Sequence, residues 1–544
     1  MKTTILLVWS ALGAAACGGK VNKPDAGPVG GLSRPATQAT QAMGAEQDAA
    51  ADAGNATAAA DANEQAEDAT PAEVVTAEDF RSVRPTPRAM AAVKTPSVER
   101  FTLANGLEVF LVPSTALPTV SMSFDFDVGT VDDPADKIGL ASVCFDLFSE
   151  GTERLDKIAW SEALADHAIG ISSPAGTETS SINVSSLVSE LGPALDLLAE
   201  LLASPGMRKL DFDRIIADRK AALSQSRATA NGVAGRLFGA LVWGKDHPYG
   251  SILVDEHLAA ITLADCKAWV AQLKPAGARL WVAGKVTRAS LTEALEARLG
   301  RWTGAAPKAR TLSPAPAPSG TIYAVQIDGA VQSMVLVGHP GPSRLAEDYE
   351  ATYLMAMIFG GSFSSRLNMN LREAHGYAYG CRGGFSYRRG GSHWSVSASV
   401  ETSTTALALR EIANETKTMR TTAPSGEELH RERDGALLAL PARFATASDR
   451  LEALRSLAFF ALPLDWYDGY QTRLGAVEAA AVEKAASAFL MSASGVVLVV
   501  GDLTKPAKDA GGASVLDALK VLADEKVFGA GGLVLLDVDG RPRL

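Results

Sequence analysis

The chain has 544 residues, 47% of them hydrophobic, enough for two or more domains with cores of their own. Its formal net charge of −11 argues against nucleic acid as a partner, since phosphate backbones require a basic patch. Part of that acidity lies in the N-terminal segment, and charge does not select a substrate.

Lys2 is followed by an apolar run over 5–12 and by Gly13-Ala14-Ala15-Ala16 before Cys17. The run is far short of the roughly 20 residues that a membrane-spanning helix needs. Cation, apolar stretch and small residues are instead the layout of a secretory signal. The small residues before Cys17 resemble a bacterial lipobox, which makes 1–17 a signal peptide and Cys17 a lipidated anchor; an ordinary signal with an incidental cysteine is the other reading. Gly18 and Gly19 follow in place of aspartate, which points to the outer membrane and to a body facing the periplasm or the cell surface. Residues 18–96 are rich in Ala, Asp, Glu, Gln, Thr and Pro and almost free of aromatics. Such a stretch cannot bury enough apolar surface to offset its ordering entropy, and it reads as a disordered tether.

A first domain is expected over 97–306. Its predicted elements are strands at 107–112 and 119–128, the second alternating through Val120, Met122, Phe124 and Phe126. Helices follow at 138–148 and 157–167, paired strands within 169–187, then helices at 188–202, 209–228, 234–243 and 263–273. A strand at 278–284 and a helix at 289–301 close the domain. Residues 307–320, with Pro307, Pro314, Pro316 and Pro318, form a linker. A second domain, 321–505, has strands at 322–327 and 332–338, a helix at 348–359, strands at 383–387 and 392–398, helices at 404–419, 426–438 and 447–460, and a last strand at 495–500. The same order of elements thus occurs twice, the mark of an internal duplication. The fold class is α+β: two homologous halves, each a mixed, mostly antiparallel sheet backed by helices. The extension 506–544 can add a strand or hairpin through 533–540.

Three cysteines remain after Cys17: Cys144, Cys266 and Cys381. An odd number leaves at least one unpaired, and Cys144, in an apolar helix, reads as a small core residue. No two of the seven histidines stand at i,i+3 or i,i+4. Cys144 and Asp146, at i and i+2, lie about 200° apart on a helix and cannot hold one ion, so no metal site is legible. His247-Pro248-Tyr249-Gly250 reads as a structural turn.

Arg372 and Tyr379 stand seven apart across Gly376, which can end a helix. Either a continued helix or a break into a strand turns a guanidinium and a phenol toward one carbonyl, as a substrate clamp or an oxyanion stabiliser requires. A surface Arg and a core Tyr at a helix end are the alternative. Just upstream, Gly360-Gly361-Ser362-Phe363 is either a mobile substrate loop or a turn between helices.

The stretch GGSFSSRLNMNLREAHGYAYG, residues 360–380, resembles the C-terminal-half signature of the pitrilysin/insulinase family of zinc metallopeptidases. Phe101 to Val109, Gly129-Thr130, Gly139-Leu140-Ala141, Gly151-Thr152 and His247 to Gly250 agree with landmarks of its N-terminal half. The resemblance runs from Ser97 to Lys505 and implies two α+β halves forming a clamshell. It also implies an H-x-x-E-H zinc helix. Here Ser142 and Asp146 occupy the histidine positions, Phe145 that of the general base, and Ala222 that of the distal glutamate. All four roles are vacant, so no cofactor is expected in this chain. In two-chain members resembling the mitochondrial processing peptidase, the chain without zinc supplies Arg and Tyr beside its partner's metal; Arg372 and Tyr379 match those residues. The resemblance therefore implies a zinc-bearing paralogous partner, in a heterodimer or heterotetramer, acting on peptides. A non-proteolytic peptide-binding or scaffold lipoprotein is the other class of function.

Overall fold

The computed structural model describes residues 93–543 except 308, 309, 313, 314, 316–318, 492, 493 and 509. The signal segment, Cys17 and the tether as far as residue 92 lie outside the described residues.

The first sheet is built from β1 (Glu99–Thr102), β2 (Glu108–Pro113), β3 (Thr119–Phe126), β4 (Gly170–Ser172), β5 (Ser180–Leu187) and β6 (Arg279–Gly284). Their order is β1-β2-β6-β3-β5-β4, with β2 and β6 parallel and every other pair antiparallel. In β3 the alternation works as expected, since Val120, Met122, Phe124 and Phe126 enter the core together with Ile182 and Val184 of β5. Helices Leu140–Phe148, Lys157–Asp166, Leu191–Ala203, Lys209–Arg227, Leu263–Val270 and Arg288–Leu299 complete this half.

The second sheet comprises β7 (Ile322–Gln326), β8 (Gln332–Gly341), β9 (Ala378–Arg388), β10 (Gly391–Glu401), β11 (Val496–Gly501) and β12 (Leu533–Leu536). Its order, β12-β7-β11-β8-β10-β9, repeats that of the first sheet, with β7 and β11 parallel as β2 and β6 are. The duplication is thus realised strand for strand. One edge differs: β1 enters antiparallel from upstream, whereas β12 comes from the tail and runs parallel to β7. The tail also contributes helix Val515–Asp524, whose Leu519 and Leu522 are buried in the second core.

Each half lends a helix to the other. Helix Ala230–Trp243 belongs to the first half but packs Val233, Leu237 and Phe238 against Val325, Leu498 and Val500 of the second sheet. Helix Ala447–Phe459 of the second half returns the favour, setting Leu451 and Leu454 on Phe110, Val112 and Trp281. A sheet buried on both faces explains the unbroken apolar run Val496–Gly501. Ion pairs lock the exchange: Arg455 with buried Asp125 at 2.7 Å and Arg389 with Asp127 at 2.8 Å. Tyr249, from the His-Pro-Tyr-Gly turn, bonds the Glu178 carboxylate, and Glu178 also accepts the Arg389 backbone N–H at 3.2 Å. That turn therefore joins the halves. Residues 93–96, assigned to the tether from composition, are ordered on the second half: Val93 N–H donates to Gln471 and Thr95 N–H to Asp468.

Candidate functional site: an arginine over two exposed rings

Helix Tyr349–Ala356 runs into a π-helical turn, Met357–Gly361, and the chain then turns through Ser362–Ser365. It resumes as one α turn, Arg366–Asn368, followed by a second π turn, Met369–Ala374. Wide turns of this kind are uncommon and recur at functional sites. Gly360 is needed because a Cβ there would come within 2.7 Å of the Gly383 backbone on β9. The Gly-Gly-Ser-Phe segment is therefore the turn between helices, not a free loop. Ser362 and Ser364 anchor it further by donating to buried Glu432 at 2.9 and 3.4 Å.

The helical stretch ends at Gly376, whose φ of +63° is left-handed. Tyr377 N–H reaches back to Leu371 C=O at 2.8 Å, a Schellman-type closure, and the chain leaves as β9. Of the two geometries open from sequence, the break into a strand is the one adopted. It brings Arg372 over the Tyr379 ring at 4.8 Å and over the Phe363 ring, also at 4.8 Å. Tyr379 is 84% exposed and Phe363 63%, whereas the guanidinium is half-buried. A cation over aromatic faces is attracted by the ring quadrupoles. Glu373 takes the Arg372 Nε at 3.1 Å. All six residues singled out from sequence in this half thus lie in one structural unit, with the Tyr379 phenol displayed at its surface.

The first half holds the opposite arrangement. Phe145 of helix Leu140–Phe148 is fully buried, its ring edge-on to Trp269 at 4.7 Å. Asp146 accepts from the Nε and Nη2 of Arg219, the former at 2.8 Å. Ser142 is half-buried and Ala222 exposed. The side chain of helix Lys209–Arg227 that meets the degenerate motif is therefore Arg219, one turn before Ala222. A hydroxyl, a phenyl ring and a carboxylate already engaged by a guanidinium are not a donor set for zinc. Beside them Cys144 is joined to Cys266 in a disulfide, which corrects the reading of Cys144 as a simple core residue. Among the described residues Cys381 is the free thiol; burial pushes it up to about 12, away from reactivity.

The partners that sequence reasoning missed are Arg219, Cys266, Glu432 and Asn368. The first three lie far along the chain from the groups they serve, and no local pattern marks them. Asn368 carried a signal, being an amide flanked by apolar Leu367 and Met369 in a buried turn.

Two family models match: "Insulinase (Peptidase family M16)" over 109–233 and "Peptidase M16 inactive domain" over 260–435, together more than half of the chain. The chain belongs to the insulinase family. An uncharacterised zinc protease of Mycobacterium leprae is 26% identical over 299 residues, 53% of this chain and 66% of that protein. The peptidase M16 inactive domain of Pseudomonas fluorescens superposes with a TM-score of 0.70 at 21% identity, covering 76% of this chain and 99% of that one. A protease of Helicobacter pylori gives 0.67 at 19% identity, covering 74% and 99%. The periplasmic protease PqqL of Escherichia coli gives 0.62 at 16% identity, covering 77% of this chain but 48% of its own length. This insulinase-family chain thus corresponds in fold to about half of PqqL. Among the described residues no helix is long and apolar enough to cross a membrane.

Proposed function

We propose that this insulinase-family chain is the zinc-free, substrate-engaging subunit of a two-chain peptidase of the cell envelope. The observation that carries the reading is Arg372 held over the exposed rings of Phe363 and Tyr379, while the metal-motif position of the other half is filled by Phe145 and the Asp146–Arg219 pair. The terminal nitrogens of Arg372 would grip a peptide carbonyl or carboxylate. The Tyr379 hydroxyl would donate to the oxyanion that develops when a carbonyl is attacked. Zinc, with the water it activates, would belong to a paralogous partner carrying an intact H-x-x-E-H. That the fold of this chain matches about half of PqqL supports a need for a second chain of similar size.

The envelope location rests on three supports: the apolar run before Cys17, the Cys144–Cys266 disulfide, which persists in oxidising compartments, and the periplasmic setting of PqqL. Lipidation at Cys17 would tie the body to the membrane. Cys17→Ser should release it from the membrane fraction and abolish lipid labelling, and unchanged fractionation would refute the anchor.

The deciding experiment is affinity purification from the native host, metal analysis of whatever co-purifies, and kinetics of the complex. Arg372→Ala and Tyr379→Phe should each lower peptide turnover by about 10²–10³ without dissociating the complex. Wild-type turnover in both, or recovery of the chain with no zinc-bearing partner, would favour a non-proteolytic binding or scaffold lipoprotein.

A further inference from the structure

Asn368 is 4% exposed and lies behind the Arg372 stack. Its Nδ2 donates to the Phe363 carbonyl at 2.7 Å, and its Oδ1 accepts the Cys381 N–H at 3.0 Å. Phe363 belongs to the turn between the helical segments. Cys381 belongs to β9, two residues beyond Tyr379. One buried amide therefore spans the two backbones that carry the rings under Arg372. It uses a donor and an acceptor at once, which among side chains of this size only an amide offers in that geometry.

The Arg372 guanidinium plane has its carbon 4.8 Å from both ring centroids, and Glu373 is the ion partner of Nε at 3.1 Å. The Nη donors then lie in that plane, free of protein partners among the described residues. We propose that Asn368 is a positioning residue: it sets the spacing of Phe363 and Tyr379, and so presents the Arg372 terminal donors to a planar oxygen acceptor of the peptide, carbonyl or carboxylate. The inference deepens, and rests on, the substrate-engaging role proposed above. It adds Asn368 to the working parts of the site. Without the amide, both bonded backbone groups would lose their partners. The turn and the strand would then part, leaving the arginine side chain to sample many rotamers before each encounter.

The test has two arms. The first uses the full chain alone, ¹⁵N-labelled, and follows the Arg372 Nε–H resonance, assigned by its loss in Arg372→Lys. In the wild type the two rings should displace it from the position of a free arginine. Asn368→Ala and Phe363→Leu should both return it toward that position. Phe363→Leu alters an exposed ring, so it answers even if Asn368→Ala folds poorly. Asn368→Asp keeps the acceptor for Cys381 but loses the donor to Phe363, and should give an intermediate shift. A wild-type resonance in a folded Asn368→Ala or Asn368→Asp chain overturns the proposal.

The second arm is a double-mutant cycle in the reconstituted complex. Asn368→Ala should lower kcat/KM about tenfold in the wild-type background, and not at all once Arg372 is Ala. Equal losses in both backgrounds would mean a merely structural Asn368. Blocking the C-terminal carboxylate of the peptide separates the acceptors. If the Asn368 effect persists on the amidated peptide, the acceptor is a backbone carbonyl; if it vanishes, the carboxylate. Should Arg372→Ala itself leave turnover untouched, the functional reading fails, while the resonance arm still decides whether Asn368 holds the stack.

Discussion

Phe145 and Asp146 are adjacent in the degenerate motif yet differ sharply in what they contribute. The Phe145 ring is fully buried, packed on Trp269 and Phe148. Its truncation to Ala should cost about 3–5 kcal/mol, because the lost transfer energy and the residual cavity add. Asp146 and Arg219 are 42% and 31% exposed, so water screens the pair and Asp146→Asn should cost no more than about 1 kcal/mol. Urea unfolding of both variants checks the contrast. A large loss at Asp146 would mean the ion pair braces the helix in place of a metal. Tyr379 lies at the same scale and the opposite extreme: at 84% exposure its phenol contributes little to stability. Tyr379→Phe should therefore leave the melting temperature unchanged whatever it does to turnover. The resemblance of residues 360–380 to the family signature made Arg372 and Tyr379 legible in the sequence; their spacing alone left a surface Arg and a core Tyr open. Arg219 was not, because the guanidinium that meets Asp146 comes from a helix 73 residues further on.

Among elements, two helices of the first half are held together by covalent chemistry. Cys144 on Leu140–Phe148 and Cys266 on Leu263–Val270 close a span of 122 residues. Constraining so long a loop in the unfolded chain stabilises the fold by about 2–4 kcal/mol. Cys144→Ala/Cys266→Ala should lower the denaturation midpoint accordingly and remove its response to reductant, whereas Cys381→Ala should keep the wild-type response. Equal midpoints with and without reductant in the wild type would argue against the disulfide. The length of β9 shows where periodicity falls short. Expected from 383, it begins at Ala378, because Gly380, Gly383 and Gly384 depress local strand propensity while pairing with β10 restores it. Helix Ala479–Phe489 was missed in an alanine-rich stretch, and helix Val515–Asp524 was missed although Ser514 and Asp517 form a capping box that announces it.

At the scale of the whole molecule, the second sheet carries a histidine on each face, His339 buried and His393 half-buried. His339 donates from Nδ1 to the Pro340 carbonyl and accepts the Met491 N–H at Nε2, 3.2 Å away. His393 faces helix Ala230–Trp243 of the other half, accepting from Trp243 Nε1 at 3.4 Å. Burial is the main cause that pulls both down from the ordinary 6.5 to about 4, Arg420 adding to it at His339 and Arg388 at His393. Folded pKa values below the unfolded one place the full stability above pH 6.5. It is lost as pH falls toward 4, because the unfolded chain binds protons that the native chain refuses. Between pH 6.5 and 5, stability should drop by up to about 1.4 kcal/mol per pH unit for each histidine. Urea midpoints across that window test it, and His339→Gln with His393→Gln should flatten the slope. A flat wild-type profile would contradict the assignment.

What the sequence by itself determined is whatever short-range pattern controls: strands from alternation, helices from periodicity and caps, and a duplicated order of elements that leaves few topologies for two homologous halves. The Arg372–Tyr379 pair and the Ser142, Phe145 and Asp146 positions were legible through the family resemblance, each being a signature of residues within two helical turns of one another. Only the tertiary structure decided that helix Ala230–Trp243 covers the second sheet and helix Ala447–Phe459 the first, that the tail supplies β12, and that Arg219, Cys266 and Asn368 complete their sites. An apolar helix face carries no record of which sheet it will cover, and a buried polar group none of which distant partner will satisfy it. Those choices are settled when the whole chain minimises exposed apolar surface and unpaired buried polar groups together.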